Sequence, residues 1–228
     1  MFHWMQTRHR FGLEIASIRR QTLKLGACVE QALQKAVRSL LDQDALLAAS
    51  VVRDDCRVGS MCSIIQNLST KAIATHQPVA GDLRELLATM QIAAELDRIG
   101  DHARHLAEAV GVVTRNELLA LFGNVDVMAG AAARMLRDAM SAYAEFDVTL
   151  AETVIDSDEA LDESYWSAHR DLLALMQNHP SVVEQGTALL FVYRFIERLG
   201  DHTTELCQWI IFARTGRHIP VRAERYAE

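Results

Sequence analysis

One run of residues occurs twice in this chain, and the repeat constrains the fold more than any other feature. Ile92 to Val110 reads IAAELDRIGDHARHLAEAV, and Arg194 to Ile210 reads RFIERLGDHTTELCQWI. Asp97, Gly100, Asp101 and His102 return as Glu197, Gly200, Asp201 and His202, each 100 positions later. On a helix turning about 100° per residue, Ile92, Leu96, Ile99, Ala103, Leu106 and Val110 form one apolar stripe with alternating steps of four and three. Ile196, Leu199, Thr203, Leu206 and Ile210 form the same stripe in the second copy. A chain that repeats a helical seam at this distance is built from two copies of one helical unit.

The same wheel places Asp97 and Asp101 one turn apart, roughly 160–200° from Ile99. Glu197 and Asp201 take the equivalent face of the second copy. Both pairs are therefore expected to point outward, away from the core of their own helix. A single acidic pair in such a place is ordinarily solvated surface. Two positionally equivalent pairs call for a further explanation.

Composition supports long helices over sheets, with three prolines, eleven glycines and 6% aromatic residues among 228. Half the residues are hydrophobic, enough for a sizeable core. The net charge of −7 argues against a nucleic-acid surface. Cys28, Cys56, Cys62 and Cys207 show neither a CxxC pair nor a secreted framework, which fits reduced thiols in a cytoplasmic protein. The opening MFHWMQTRHRF lacks an uninterrupted apolar segment, and no 18 apolar residues run together, so neither export by that route nor a membrane span is expected.

Three long helical patterns occur in each half. The first, from about Phe11 to Leu41, carries Ile15, Ile18, Thr22, Leu25, Val29, Ala32, Ala36 and Leu40 at three- and four-residue steps. Asp42 to Asp44 interrupt it. The second begins near Ala45, with Val51, Val58, Cys62 and Ile65 on one face, and ends near Thr75 before Pro78. Asp82 and Glu85 suggest a capping box for the third. In the second half Met128 to Phe146 matches the first helix, Asp147 echoes Asp44, and Pro180 answers Pro78, with Ser181 and Glu184 as the corresponding box. Gly111, Asn116 and Gly123 cluster between the copies. The expected architecture is all-α: two tandem, pseudo-symmetric three-helix bundles, six helices in all, spanning residues 1–116 and 117–228.

The middle helices also carry acid. Asp158 and Asp162 lie on the flank of the apolar stripe, within reach of a neighbouring helix, and with Glu197 and Asp201 they make four carboxylates on two adjacent helices. The first-half equivalents are Asp55 and Gly59, so one carboxylate is missing there. Gly100 and Gly200 each cost a helix about 1 kcal/mol against alanine, and their position beside the acids implies close approach of a neighbouring helix.

Two tandem three-helix units, each with a D/E-R-I/L-G-D-H run on its last helix, QPVAGDLREL ahead of the first run and DEALD on the second middle helix, resemble the PhoU family of phosphate-uptake regulators. The resemblance covers about His9 to Thr215. It implies a fold of two three-helix bundles, multinuclear metal clusters on the bundle surface, and negative regulation of phosphate uptake and the phosphate-starvation response. It further implies action with the ATPase subunit of a phosphate ABC transporter and a sensor histidine kinase, and self-association as a homodimer or higher oligomer. Carried over by position, it assigns metal ligation to Asp97 and Asp101, to Glu197 and Asp201, and to Asp55, Asp158 and Asp162 on the middle helices. Gly59 departs from the family pattern, where an acid is usual.

Elementary chemistry agrees with that assignment. Like charges four residues apart destabilise an isolated helix by about 0.2–0.5 kcal/mol per pair, and a bound cation reverses the sign. Carboxylate oxygens suit Mg²⁺, Mn²⁺, Ca²⁺ or iron, with Zn²⁺ also accommodated. His102 and His202 follow the motif but point about 100° away from its acidic face, so a hydrogen bond to a neighbouring helix or carboxylate is their expected role. No nucleophile constellation argues for an enzyme. A metal-dependent all-α phosphohydrolase is the catalytic alternative, although its acid pairs are typically three apart and these are four. A ferritin-like di-iron site would need Glu-x-x-His, which the chain lacks. A helical scaffold without metal is the remaining alternative.

Overall fold

A computed structural model of the chain describes residues 2–114 and 116–217. Six long helices account for most of it: α1 (Phe2–Leu41), α2 (Ala45–His76), α3 (Ala80–Glu108), α5 (Phe122–Glu145), α6 (Val148–Asn178) and α7 (Val183–Thr215). A one-turn α4 (Asn116–Leu119) and a 3-10 turn (Pro180–Val182) lie in the connections. Among the described residues there is no strand. Helices α1, α2 and α3 pack on one another, as do α5, α6 and α7, giving two three-helix bundles in tandem. The bundles join along α3 and α7, with α1 against α5 beside them. The expected outer limits of the two units, residues 1 and 228, lie outside the described residues.

The repeated stripes are the core of each bundle. Ile92, Leu96, Ile99, Ala103 and Leu106 are wholly buried, and so are Ile196, Thr203, Leu206 and Ile210. On α1, Leu25, Val29, Ala36 and Leu40 disappear from solvent, and the Thr22 hydroxyl is satisfied within the core by donating to the Ile18 carbonyl.

Two of the helix starts follow from side chains read in the sequence. Asp44 accepts from the amides of Leu46 and Leu47 at 3.0 and 2.9 Å, and Asp147 accepts from Leu150 at 3.0 Å. Each satisfies backbone donors that the first turn leaves without helical partners. The two expected capping boxes do not form. Helix α3 begins at Ala80, so Asp82 sits inside its first turn, and Glu85 instead pairs with Arg19 of α1 at 2.5 Å. Ser181 falls within the 3-10 turn that Pro180 initiates, and the cap of α7 is Val182, without a side-chain bond. In both places the cap is a valine, Val79 or Val182, and no side chain caps the helix.

Gly100 and Gly200 are contact points between neighbouring helices. A Cβ on Gly100 would lie 3.0 Å from Val58 Cγ1 of α2, and one on Gly200 would lie 2.6 Å from Leu161 Cδ2 and 2.7 Å from Asp158 Oδ1 of α6. Leu161 and Asp158 are themselves buried, leaving them little room to retreat. Gly59 differs, with only Asp97 Oδ1 at 3.6 Å. Gly200→Ala should therefore cost a net ~1–2 kcal/mol, overpacking outweighing the gain in helix propensity. Gly59→Ala should be stabilising by up to about 1 kcal/mol. Urea midpoints moving in opposite directions for the two variants check the pair.

Candidate metal centres

The acid-bearing turn of α7 faces the middle helix α6 and not open solvent, whereas on α3 Asp97 is half-buried and Asp101 is exposed. Asp158 of α6 is only 1% exposed and Glu197 of α7 8%. Asp162 and Asp201 are half-buried. The outward direction expected from the wheel is thus corrected for the second pair, where α6 covers that face of α7, while in the first pair Asp101 does face solvent. Gly200 allows this cover, and it brings the Asp158 carboxylate against the turn that carries Glu197 and Asp201.

The electrostatics show the same convergence. Burial pushes Glu197 up to about 7, reinforced by the charge of Asp201 and, less strongly, Asp162, and opposed by Arg194 and Arg198. In the first half, burial raises Asp97, with Asp101 and Asp55 adding to the rise and Arg98 opposing it. Asp55 is raised by burial and by Asp101, while Arg104 and His105 pull it down. Asp55, Asp97 and Asp101 thus lie within mutual electrostatic reach, as do Asp162, Glu197 and Asp201. Gly59 faces Asp97, so the position lacking a carboxylate is turned toward the first trio. A cavity lined by Cys28, Lys35, Asp55, Val58 and Gly100 opens beside that trio.

Arginines balance these acids. Arg194 reaches Glu197 Oε1 at 2.6 Å and Arg198 reaches Asp201 Oδ2 at 3.2 Å. Arg104 spans Asp55 at 3.3 Å, Asp101 at 3.5 Å and Glu108 at 2.6 Å. Among the described residues, no three acidic, histidine or cysteine side chains converge closely enough, as they stand, to hold one ion. Glu197 Oε2 is nevertheless buried and accepts no hydrogen bond. An orphaned carboxylate oxygen among further acids fits a hard cation, which would supply the missing contact on exchange for an arginine.

Periodicity gave no sign of a second cluster, on the seam between the bundles. His202 Nδ1 lies 2.8 Å from Glu95 Oε2 across 107 positions of chain, and Arg98 also donates to Glu95. The expected role of His202, a bond to a carboxylate on a neighbouring helix, is what forms. His102 stacks on His202 with centroids 5.3 Å apart and on Phe195 at 5.7 Å, and His105 packs on Phe195 at 4.9 Å. Phe195 is the repeat counterpart of Glu95, so the duplicated histidines meet different partners. Burial, then the charges of His202 and His105, push His102 down to about 4. The Nδ1 atoms of His102 and His105 are buried without a hydrogen-bond partner.

The comparisons with known proteins come from sequence and from structure. The family model described as the PhoU domain matches residues 22–110 and again 125–210. The chain is 30% identical over 214 residues to a phosphate-specific transport system accessory protein PhoU homolog of Clostridium acetobutylicum, covering 93% of this chain and 98% of that one. It is 32% identical over 216 residues to the accessory protein PhoU of Edwardsiella tarda, covering 93% and 89%. The crystal structure of PhoU from Pseudomonas aeruginosa superposes with a TM-score of 0.85 at 28% identity, over 91% of this chain and all of that one. The phosphate transport system regulatory protein PhoU from Streptococcus pneumoniae gives 0.87 at 25%, over 92% and 100%.

The burial of Glu197 has a measurable sign. Its folded value of about 7 lies above the ordinary carboxyl range. Between about pH 4.5 and 7 the folded state holds a proton that the unfolded state has released. The carboxyl therefore loses stability for the metal-free protein as pH rises through that window. Glu197→Gln removes the loss. In chelator-treated protein its stability relative to the parent should climb from pH 5 to 7 and level off above, as urea unfolding at a series of pH values would record.

Proposed function

This chain belongs to the PhoU family, and from that premise we propose that it is a metal-binding, non-catalytic regulator of phosphate uptake. Its role is negative: it restrains transport and the phosphate-starvation response as an adaptor between the ATPase subunit of a phosphate ABC transporter and a sensor histidine kinase. It acts at the cytoplasmic side, peripheral to the membrane at most, and self-associates as a homodimer or larger assembly. The printed names of the relatives, accessory proteins of the phosphate-specific transport system, support the transport setting. Among the described residues no helix is long and apolar enough to cross a membrane, which is compatible with a peripheral role.

The observation that carries the metal component is the unpartnered, buried Oε2 of Glu197 beside Asp201. Glu197, Asp201, Asp158 and Asp162 hold ions at the second site; Asp97, Asp101 and Asp55 hold them at the first, where Gly59 leaves one donor fewer. Hard cations such as Mg²⁺, Mn²⁺, Ca²⁺ or iron suit the oxygen donors, Zn²⁺ less so. The ions supply positive charge that lets carboxylates of two helices share one place, and so fix the pose of α6 on α7 and of α2 on α3. Partners that touch those helices sense ion loading through that pose, a coupling of about 1–3 kcal/mol.

The double variant Glu197→Ala, Asp201→Ala tests this reading in three measurements. Metal analysis of the purified protein should show loss of the second-site ions. Docking to the transporter ATPase subunit should weaken about 5–150-fold, and the helical circular-dichroism signal should survive. Unchanged metal content would remove these acids from ligation, and metal loss with unchanged docking would detach the ions from the adaptor role. Gly59→Asp should raise the metal stoichiometry or affinity of the first site, because the new carboxylate projects toward Asp97.

A further inference from the structure

The histidines on the bundle seam have a chemistry separate from that of the acids. His102 comes from α3 and His202 from α7, so any ligand they share ties one bundle to the other. A carboxylate accepts hydrogen bonds and cannot donate them when ionised. Glu95, at 2.8 Å, therefore keeps the proton of His202 on Nδ1 and leaves Nε2 as the atom with an available lone pair. A carboxylate behind an imidazole in this way is the arrangement that orients histidines toward metals.

His102 supplies the second nitrogen. Its Nδ1 is buried without a partner, an arrangement that costs free energy until something binds there. Two imidazoles bound to one zinc, each nitrogen about 2.0–2.1 Å from the ion, have ring centres about 5 Å apart. The two rings are 5.3 Å apart, whereas Arg104 donates to His105 Nε2 at 3.0 Å and so keeps the His105 proton on Nδ1, which takes that ring out of the donor set. The His102 and His202 planes are 23° from parallel, so a common ion needs one ring to turn. His202 is fixed by Glu95; His102 has no Nδ1 hydrogen bond to lose by turning.

We propose that His102 and His202 chelate a borderline transition ion, Zn²⁺ or Cu²⁺ in class, across the seam, with Glu95 as the positioning carboxylate. Imidazole nitrogens select these ions over Mg²⁺ or Ca²⁺. The site therefore answers to a different metal from the oxygen clusters, and its effect is to clamp the first bundle to the second. The rings of His102 and His202 meet each other on the seam between α3 and α7, and neither is a member of the acidic sets, so each kind of site can be substituted without touching the other's donors.

The test is a Cu²⁺ titration of metal-stripped full-length protein, followed by electron paramagnetic resonance with pulsed detection of imidazole nitrogens. The first equivalent should couple to at least two imidazoles, and should do so equally in the Asp97→Asn, Asp101→Asn, Glu197→Gln, Asp201→Asn variant, in which the acids that α3 and α7 contribute to the oxygen sites are neutralised. His102→Gln with His202→Gln should abolish that signal. His102→Phe, which keeps the ring stack and removes only the nitrogens, guards against misfolding and should lose one coupled imidazole. Glu95→Gln should keep the imidazole count while weakening affinity about 10–100-fold. A first equivalent coupled to fewer than two imidazoles, or an unchanged signal in His102→Phe, would overturn the proposal and leave the cluster as packing.

Discussion

Contact between α6 and α7 at Gly200 is the constraint on which the second acidic site depends. With no Cβ in the way, Leu161 and Asp158 lie against the turn that carries Glu197 and Asp201. Apolar packing draws the helices together, and the carboxylates follow because they project from the same turns as the core residues. Glu197 then loses its water, and burial rather than charge repulsion is the larger cause of its raised pKa. Helix packing thus creates a local demand for positive charge. Arg194 and Arg198 meet part of it, and one oxygen of Glu197 remains without a partner. That remainder connects the stability of the fold to the proposed ion chemistry.

The first half repeats this construction with less force. Gly100 brings Val58 to the turn as Gly200 brings Leu161, and Asp55, Asp97 and Asp101 again cluster. Gly59 faces Asp97 where a carboxylate would complete the set, and Arg104 alone spans two of the three acids and Glu108. Duplication kept the scaffold while the donor count diverged. The two sites should consequently differ in affinity even though the helices beneath them are near copies.

Much of this was legible in the sequence because helical periodicity and the 100-residue recurrence report on backbone and core. The stripes, the break at Asp44 with its echo at Asp147, and the close approaches at Gly100 and Gly200 all follow from local rules. Two things did not. The capping boxes at Asp82 and Ser181 failed because α3 starts at Ala80, ahead of Asp82, and α7 at Val183, beyond Ser181, and Glu85 pairs with Arg19 instead. The direction of the acidic face of α7 was misread because a wheel gives an angle from one helix's own stripe and is silent on what covers the other side. Glu95 was illegible for a similar reason: it looks like an ordinary helical glutamate until His202, 107 positions away, is placed beside it.

The pairing of Glu95 with His202 has a bearing on what each repeat can do by itself. One repeat owns a buried acid and the other owns the base that answers it, and on the opposite flank Arg137 of α5 likewise reaches Glu30 of α1 at 2.8 Å. A chain severed between the copies would strand Glu95 without its imidazole and lay bare the side of α3 that rests on α7. Each repeat therefore completes the charge balance of the other.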